Sequence, residues 1–583
     1  MDEAIVQDGD LAEPGQRAYS RYAMPRMTIV GPHLIAVVVA LIIAFAITAT
    51  NLTIFYLGKQ DLVLLFAELV LLYAVSFRLK PRQTPIAIGL RSVFVGAGAV
   101  LALCIAGHFW VLDNYDMSRD EQMATFDAMV FRGGHLAQAL PTLWRDHAEA
   151  LNLNFMLPAE HRGAWISGYL PGNAALRALV SLAGTQVITG PLLTALGAIA
   201  MWGCARRIWP TNREAAAVAL LLYLGAGQIT MTGMTAYAMP AHLTLNLVWL
   251  WLFLRKSLLT DLAALVVGFI AVGLHQPLMH PVFAGPLLCL LILPERQWKR
   301  AVLFALGYAA IGLFWLSWPG WSWAMVQAGP VAAQPAGVDY LTRLTQTVQN
   351  LGTTGILIML ANLLRFIAWQ HLLLIPLLLI GIGIARRDRL AGALATAPIL
   401  MIAIMTVILP YQGHGFGYRY LHALNGNCIL IAVYGWMSLG ERRAEWRGLL
   451  LRSTAASIAV ILPLQAWMAH GFYASSAEAS TKISALDADY AIIGRSDVPF
   501  AFDLVYNPPL LDRRPVRLVR DKVDPGLIDA ICRRHASVAL VGSGILKPIG
   551  DTFDIRDPIG ANHANAALAP VLVKAGCTVS HTN

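Results

Sequence analysis

Residues 117–140, MSRDEQMATFDAMVFRGGHLAQAL, set two adjacent acids, Asp120 and Glu121, at the head of a weakly amphipathic helical pattern just beyond a third apolar run. Charge at a membrane mouth costs little where water reaches it and much where lipid does. The pair therefore reads in two ways. It is either the chemical centre of a membrane protein or the first turn of a helix, where the backbone dipole favours Asp and Glu. Local sequence leaves both open, and the surrounding chain has to decide.

That chain has 583 residues, 57% of them hydrophobic and only 13% charged, with a mean hydropathy of +0.59. A soluble protein carries roughly 25% charged residues, so the composition is that of a polytopic membrane protein. The net charge of +9 does not point to nucleic acid, because no dense basic run exists. Lys and Arg fall instead in short loops between apolar runs, as the positive-inside rule expects. Residues 1–26 are polar and begin with acids, a poor secretory signal and a better cytoplasmic tail. Cys104, Cys204, Cys289 and Cys428 lie in apolar segments and read as packing residues. No Cys/His spacing suits a structural metal. Cys532 and Cys577 pair if their region faces an oxidising compartment.

The expected fold is an α-helical polytopic membrane protein of about thirteen transmembrane helices with a small C-terminal α/β soluble domain. Residues 27–112 hold three spans, the first two joined by a polar hairpin at 58–61, and the second carrying an acid, Glu68. Residues 113–172 form the first large loop, outside the cell if the tail is inside. The bundle of 173–470 follows, with apolar runs at 186–205, 214–231, 238–254, 260–275, 280–294, 300–318, 391–410, 421–438 and 450–470. A second outside loop covers 319–366 and includes Asp339 and Arg343; a surface helix at 343–365 precedes a span at 367–385. From Gly471 the composition turns soluble. Residues 488–494 and 537–542 read as buried strands and 527–535 as a helix between them. An odd number of spans leaves this last domain, of about 110 residues, on the outside.

Two further features stand at membrane mouths. Gly417-Tyr418-Arg419-Tyr420 places an arginine among aromatics, where a planar guanidinium can grip a lipid phosphate or simply anchor the end of a span. His275 and His280 flank an outside turn, and for both a structural role competes with a ligand role. Gly381-x-Gly383 lies within a span and is no dinucleotide loop, since no strand precedes it.

Taken together, these motifs resemble the GT-C superfamily of integral-membrane glycosyltransferases, in the branch of bacterial aminoarabinose transferases and protein O-mannosyltransferases. The resemblance rests on Asp120-Glu121-Gln122, then Phe126-Asp127-Ala128-x-x-Phe131-x-x-Gly134-x-Leu136. It continues in the turn Ser167-Gly168-Tyr169-x-Pro171-Gly172 and in Gly417-Tyr418-Arg419-Tyr420, and their order covers nearly the whole chain. It implies an inverting transfer from a polyprenyl-phosphate-linked sugar at the outer face of the cytoplasmic (inner) membrane. On that reading Asp120 is the general base, while Glu121 and Gln122 orient substrates. Arg419 and Tyr420 bind the donor phosphate, and Tyr169 and His275 line the site.

The acceptor is an envelope glycan, lipid or protein. The resemblance fixes no cofactor, and a divalent cation is left open. Three departures stand out. Relatives carry Arg shortly after the acidic pair where this chain has Gln122-Met123, and loop 232–240 lacks the acid found there in several of them. The two spans before residue 92 are an addition to the usual plan. Donor and acceptor therefore do not carry over. The alternatives are a transporter or flippase of lipid-linked glycans, which internal repeats would favour, and a non-catalytic assembly protein that recruits through its C-terminal domain.

Overall fold

The computed structural model describes residues 26–46, 51–77, 79, 81–152, 155–158, 162–293, 295–328, 353–555 and 559–582. The N-terminal tail and the middle of the second loop, with Asp339 and Arg343, lie outside these. The apolar runs fold as helices where continuous hydrophobic sequence demands them, because in lipid every backbone group must be satisfied within its own segment. Examples are Leu90–Trp110, Thr189–Ile208, Met239–Phe253, Leu258–Val272, Met279–Ile292 and Arg389–Ile408. Among the described residues, six helices are long and apolar enough to cross a membrane. Arg213–Leu224 and Gly227–Gly233 make a seventh if the pair, bent by 57°, is one broken span. Five more apolar helices are only 10–17 residues long, which is why hydropathy alone arrives at a larger number.

Two expectations fail for one reason. Residues 58–61 form no hairpin. They make a π-helical turn, Leu57–Asp61, between Leu52–Tyr56 and Leu62–Val75. Nor does a surface helix cover 343–365, as far as the described residues go: Thr353–Ile367 packs into the bundle, followed after a break by Leu374–Ala385. The two errors meet at one ion pair. Arg365 Nε lies 2.8 Å from Asp61 Oδ2, both side chains are fully buried, and Trp369 donates to Asp61 Oδ1 at 2.6 Å. Polar residues that looked as if they needed water are satisfied by each other. Glu68 is likewise buried, 3.7 Å from His33. Of the four unpaired cysteines, Cys289 is exposed rather than packed.

Close helix contact is bought by small residues. A Cβ on Gly381 would fall 2.0 Å from the Ile431 carbonyl oxygen, and one on Gly435 would fall 2.2 Å from that of Leu377. Helices Leu374–Ala385 and Asn425–Ser438 therefore pack almost backbone to backbone. Near the C-terminus, helix Leu462–Ser484 runs past Gly471 without a break and leads into a four-stranded parallel sheet. The strand order is Val516–Val519, Tyr490–Ile493, Ser537–Val541, Thr578–Thr582, with Pro525–Cys532 and Ile559–Lys574 among the connecting helices. Cys532 and Cys577 are bonded to each other.

Removing one member of a buried ion pair strands the other charge. Asp61→Ala is expected to destabilise the detergent-solubilised protein by roughly 3–5 kcal/mol, while Asp61→Leu combined with Arg365→Met recovers most of the loss. Thermal unfolding of the three proteins reads the difference.

Candidate active site

The acidic stretch folds as helix Arg119–Arg132, and its start is set by chemistry written in the sequence. Ser118 is the N-cap, and its hydroxyl accepts from the Glu121 backbone N–H at 3.4 Å. Glu121 Oε2 in return accepts from the Ser118 backbone N–H at 3.1 Å and lies 3.0 Å from its hydroxyl. This S-x-x-E exchange is a capping box, which satisfies two backbone donors that the first helical turn leaves open. Tyr473 donates to both Glu121 oxygens, at 3.1 and 3.2 Å. Glu121 is wholly buried, and burial together with nearby Asp116 pushes its carboxyl well above the ordinary carboxylate range.

Asp120, one position earlier, points elsewhere. Its Oδ2 accepts from Arg419 Nη2 at 2.6 Å, and its Oδ1 accepts from the Tyr169 hydroxyl. Asp120 keeps 20% of its side-chain surface accessible, against 5% for Arg419. Burial works to raise its carboxyl, yet the Arg419 guanidinium, with His275 and Tyr169 beside it, holds it below the usual range. Burial draws the His275 imidazole down to about 4, so that ring is neutral at pH 7 and packs against Tyr169 with centroids 4.1 Å apart.

Arg419 is delivered by an unusual loop. Gly415 and Gly417 adopt φ of +143° and +61°, and a Cβ on Gly415 would collide with the Arg419 stem at 2.3 Å. Curled this way, the loop turns the carbonyls of Gln412 and His414 onto Arg419 Nη1 at 2.8 and 2.7 Å. The Tyr237 ring lies under the guanidinium at 4.3 Å, a cation–π contact. Nε of Arg419 has no partner among the described residues. Tyr420, next in the chain, is buried, and burial pushes its hydroxyl up to about 12.

Five residues singled out from sequence thus gather around one point: Asp120, Tyr169, His275, Arg419 and Tyr420. The other two do not join them. Glu121 serves the cap, and the Gln122 amide donates to the carbonyls of Asp116 and Asp503, both at 2.9 Å. His280 is a packing residue, bonded to Asn246 at 2.8 Å and Tyr308 at 2.7 Å. Tyr237 and Tyr473 escaped sequence reading, since each sits in an apolar setting with no charge to flag it. Asp127 was read only as part of a motif; it accepts from the Ser167 backbone at 3.0 Å and from its hydroxyl, tying the helix to the turn that carries Tyr169. Among the described residues, no group of three or more His, Cys, Asp or Glu side chains is placed to hold a metal ion.

The chain is similar in structure to ArnT from Cupriavidus metallidurans bound to undecaprenyl phosphate, with a TM-score of 0.50 and 14% identity over 72% of this chain and 86% of that one. The apo state of that protein matches with a TM-score of 0.44 and 13% identity over 83% of this chain and 95% of that one. No family model and no curated protein matches the sequence.

If Glu121 acts through the cap, shape matters there more than charge. Glu121→Gln is expected to keep the helix start close to its wild-type stability, whereas Glu121→Ala loses roughly 1–2 kcal/mol. Hydrogen exchange at residues 118–125 distinguishes them.

Proposed function

We propose that the chain is a membrane glycosyltransferase. It moves a sugar from a polyprenyl-phosphate donor to a glycan, lipid or protein acceptor at the outer face of the cytoplasmic membrane, inverting the anomeric carbon. The Asp120–Arg419 pair carries this reading: a carboxylate and an anion-binding guanidinium held together, partly open, in a fold shared with a protein solved with undecaprenyl phosphate. A cavity of about 410 Å³ lined by Phe131, Leu136, Pro171, Ala175 and Trp318 supports a seat for an apolar chain near the Tyr169 turn.

The chemistry is a single displacement. The acceptor oxygen or nitrogen attacks the anomeric carbon as the bond to the phosphate oxygen breaks. The acceptor proton passes to Asp120, and polyprenyl phosphate leaves with its charge against Arg419. Locked to Arg419, Asp120 is a weak base. A donor phosphate competing for the guanidinium loosens that pair and restores basicity where the acceptor needs it. Tyr169 holds the other carboxylate oxygen in place, and neutral His275 buttresses Tyr169. Glu121 is then a positioning residue.

A contact supports the sidedness. Arg119 Nη1 donates to the Val505 carbonyl at 3.0 Å, so the acidic helix and the C-terminal sheet domain share one side of the membrane. The Cys532–Cys577 bond supports an oxidising, periplasmic side, with the N-terminus in the cytoplasm.

Asp120→Asn is expected to leave the protein inserted and folded while lowering sugar transfer by about 10²–10⁴-fold. Release of free polyprenyl phosphate from a panel of lipid-linked sugars measures it. Full activity in that variant overturns the assignment, and no release from any donor by folded wild-type protein moves the reading to lipid-linked glycan transport. Because Arg419 depresses the Asp120 carboxyl, that group loses its proton at lower pH than a free carboxylate does. Removing the guanidinium leaves burial opposed only by Tyr169 and His275. The acidic limb of the pH profile of residual kcat/KM is therefore expected to move to higher pH in Arg419→Gln.

A further inference from the structure

Helix Arg119–Arg132 has a second face. At 3.6 residues per turn, Gln122, Thr125 and Met129 lie roughly 140–200° around the helix from Asp120. All three line a cavity of about 610 Å³ between the membrane mouth and the C-terminal domain, within the roughly 300–1,000 Å³ range of small-ligand pockets. Four arginines line it, Arg177, Arg513, Arg514 and Arg517, against Asp116 as the one acid among its described lining residues.

Three of those guanidiniums have no carboxylate partner among the described residues. Arg514 pairs with Asp489 at 2.8 Å. Arg177, only 3% exposed, donates to the carbonyls of Gln186 and Thr235 at 3.3 and 3.1 Å and leaves Nε unpartnered. Arg517, 8% exposed, bonds only to serine oxygens and the Leu504 carbonyl. Arg513 is exposed and makes no hydrogen bond or ion pair among the described residues. Buried charges are normally paired because leaving water costs them so much. Arg177 feels Asp116 and Glu121 from beyond hydrogen-bonding range, Arg517 has no carboxylate beside it, and with the accessible Arg513 they leave an excess of positive charge held ready for an anion.

We propose that this cavity is a second anion site, separate from the Asp120–Arg419 pair, and that it takes a phosphate group presented by a lipid headgroup. The lipid argument comes from its neighbouring helices. The helices that contribute His108 and Arg177, Leu90–Trp110 and Gly172–Ser181, carry exposed Trp110 (79%) and Leu179 (64%) on their outer faces. His108 closes helix Leu90–Trp110, and Gln186 opens the turn into Thr189–Ile208, so the cavity lies where two apolar helices end. Phosphate oxygens match the arginines, and the outer apolar faces of the helices that end at the cavity meet the hydrocarbon.

The test uses full-length protein in vesicles of phosphatidylcholine containing phosphatidylglycerol, with lipid retained after extraction counted by native mass spectrometry. Wild type is expected to retain phosphatidylglycerol over phosphatidylcholine, and Arg513→Glu to lower that preference at least tenfold. Arg513 makes no hydrogen bond or ion pair among the described residues, so the variant folds, and retention lost in Arg513→Glu but kept in Arg419→Ala assigns the lipid to this cavity. Displacement by equimolar glycerol phosphate upholds the phosphate site with a soluble ligand as its source; resistance to it upholds the lipid. Equal retention of both lipids, an unaffected Arg513→Glu, or loss in Arg419→Ala alone overturns the proposal.

Discussion

Everything around the candidate site depends on one ion pair that joins Asp120 to Arg419 across 299 residues of sequence. Neither residue is held by its own neighbourhood alone. Asp120 rides on a helix fixed by a capping box, and Arg419 on a loop that glycines curl inward. The pair forms only if the intervening bundle brings the two mouths together. A guanidinium in that position both fixes the carboxylate's direction and suppresses its affinity for a proton. Geometry and acidity are thus one constraint.

The acidic helix is unusually well pinned for a segment outside the apolar bundle. Arg119 reaches the Val505 and Phe502 carbonyls and lies 3.6 Å from Asp503, Gln122 holds the Asp503 carbonyl, and Asp127 holds Ser167. Nearby, Asn152 and Asn507 exchange backbone and side-chain hydrogen bonds at 2.9 and 2.8 Å, and the Trp165 indole donates to the Pro509 carbonyl at 3.1 Å. The loop and the C-terminal domain form one polar framework, and Asp120 is the carboxylate on the helix that remains partly open to solvent.

Much of this was legible because lipid allows few choices. The expected span at 92–112 is helix Leu90–Trp110, long enough to cross, and the run at 238–254 is a helix too, Met239–Phe253, though a shorter one. Where reading failed, the missing information was distant. The polar run at 58–61 looks like a turn until Arg365 is brought beside it, and no local pattern announces a partner 304 residues away. In the acidic stretch two readings competed for a pair of residues, and the structure divides them: Glu121 caps the helix, and Asp120 faces the arginine. The spacing Ser118-x-x-Glu121 already held half of that answer. Tyr237 could not be found the same way, since an uncharged aromatic in an uncharged loop looks like packing until a guanidinium lies over it.

The framework also orders events in time. Helix Arg119–Arg132 leaves the ribosome early, whereas the residues that clamp it, 502–505, come almost 400 positions later. Until then Arg119 and Gln122 have water in place of their final partners. Completion of that framework is therefore a late act of biosynthesis, coming after Tyr169 and Arg419, the partners of Asp120, have been made. A protein built this way braces its acidic helix only once residues 502–505 have reached it.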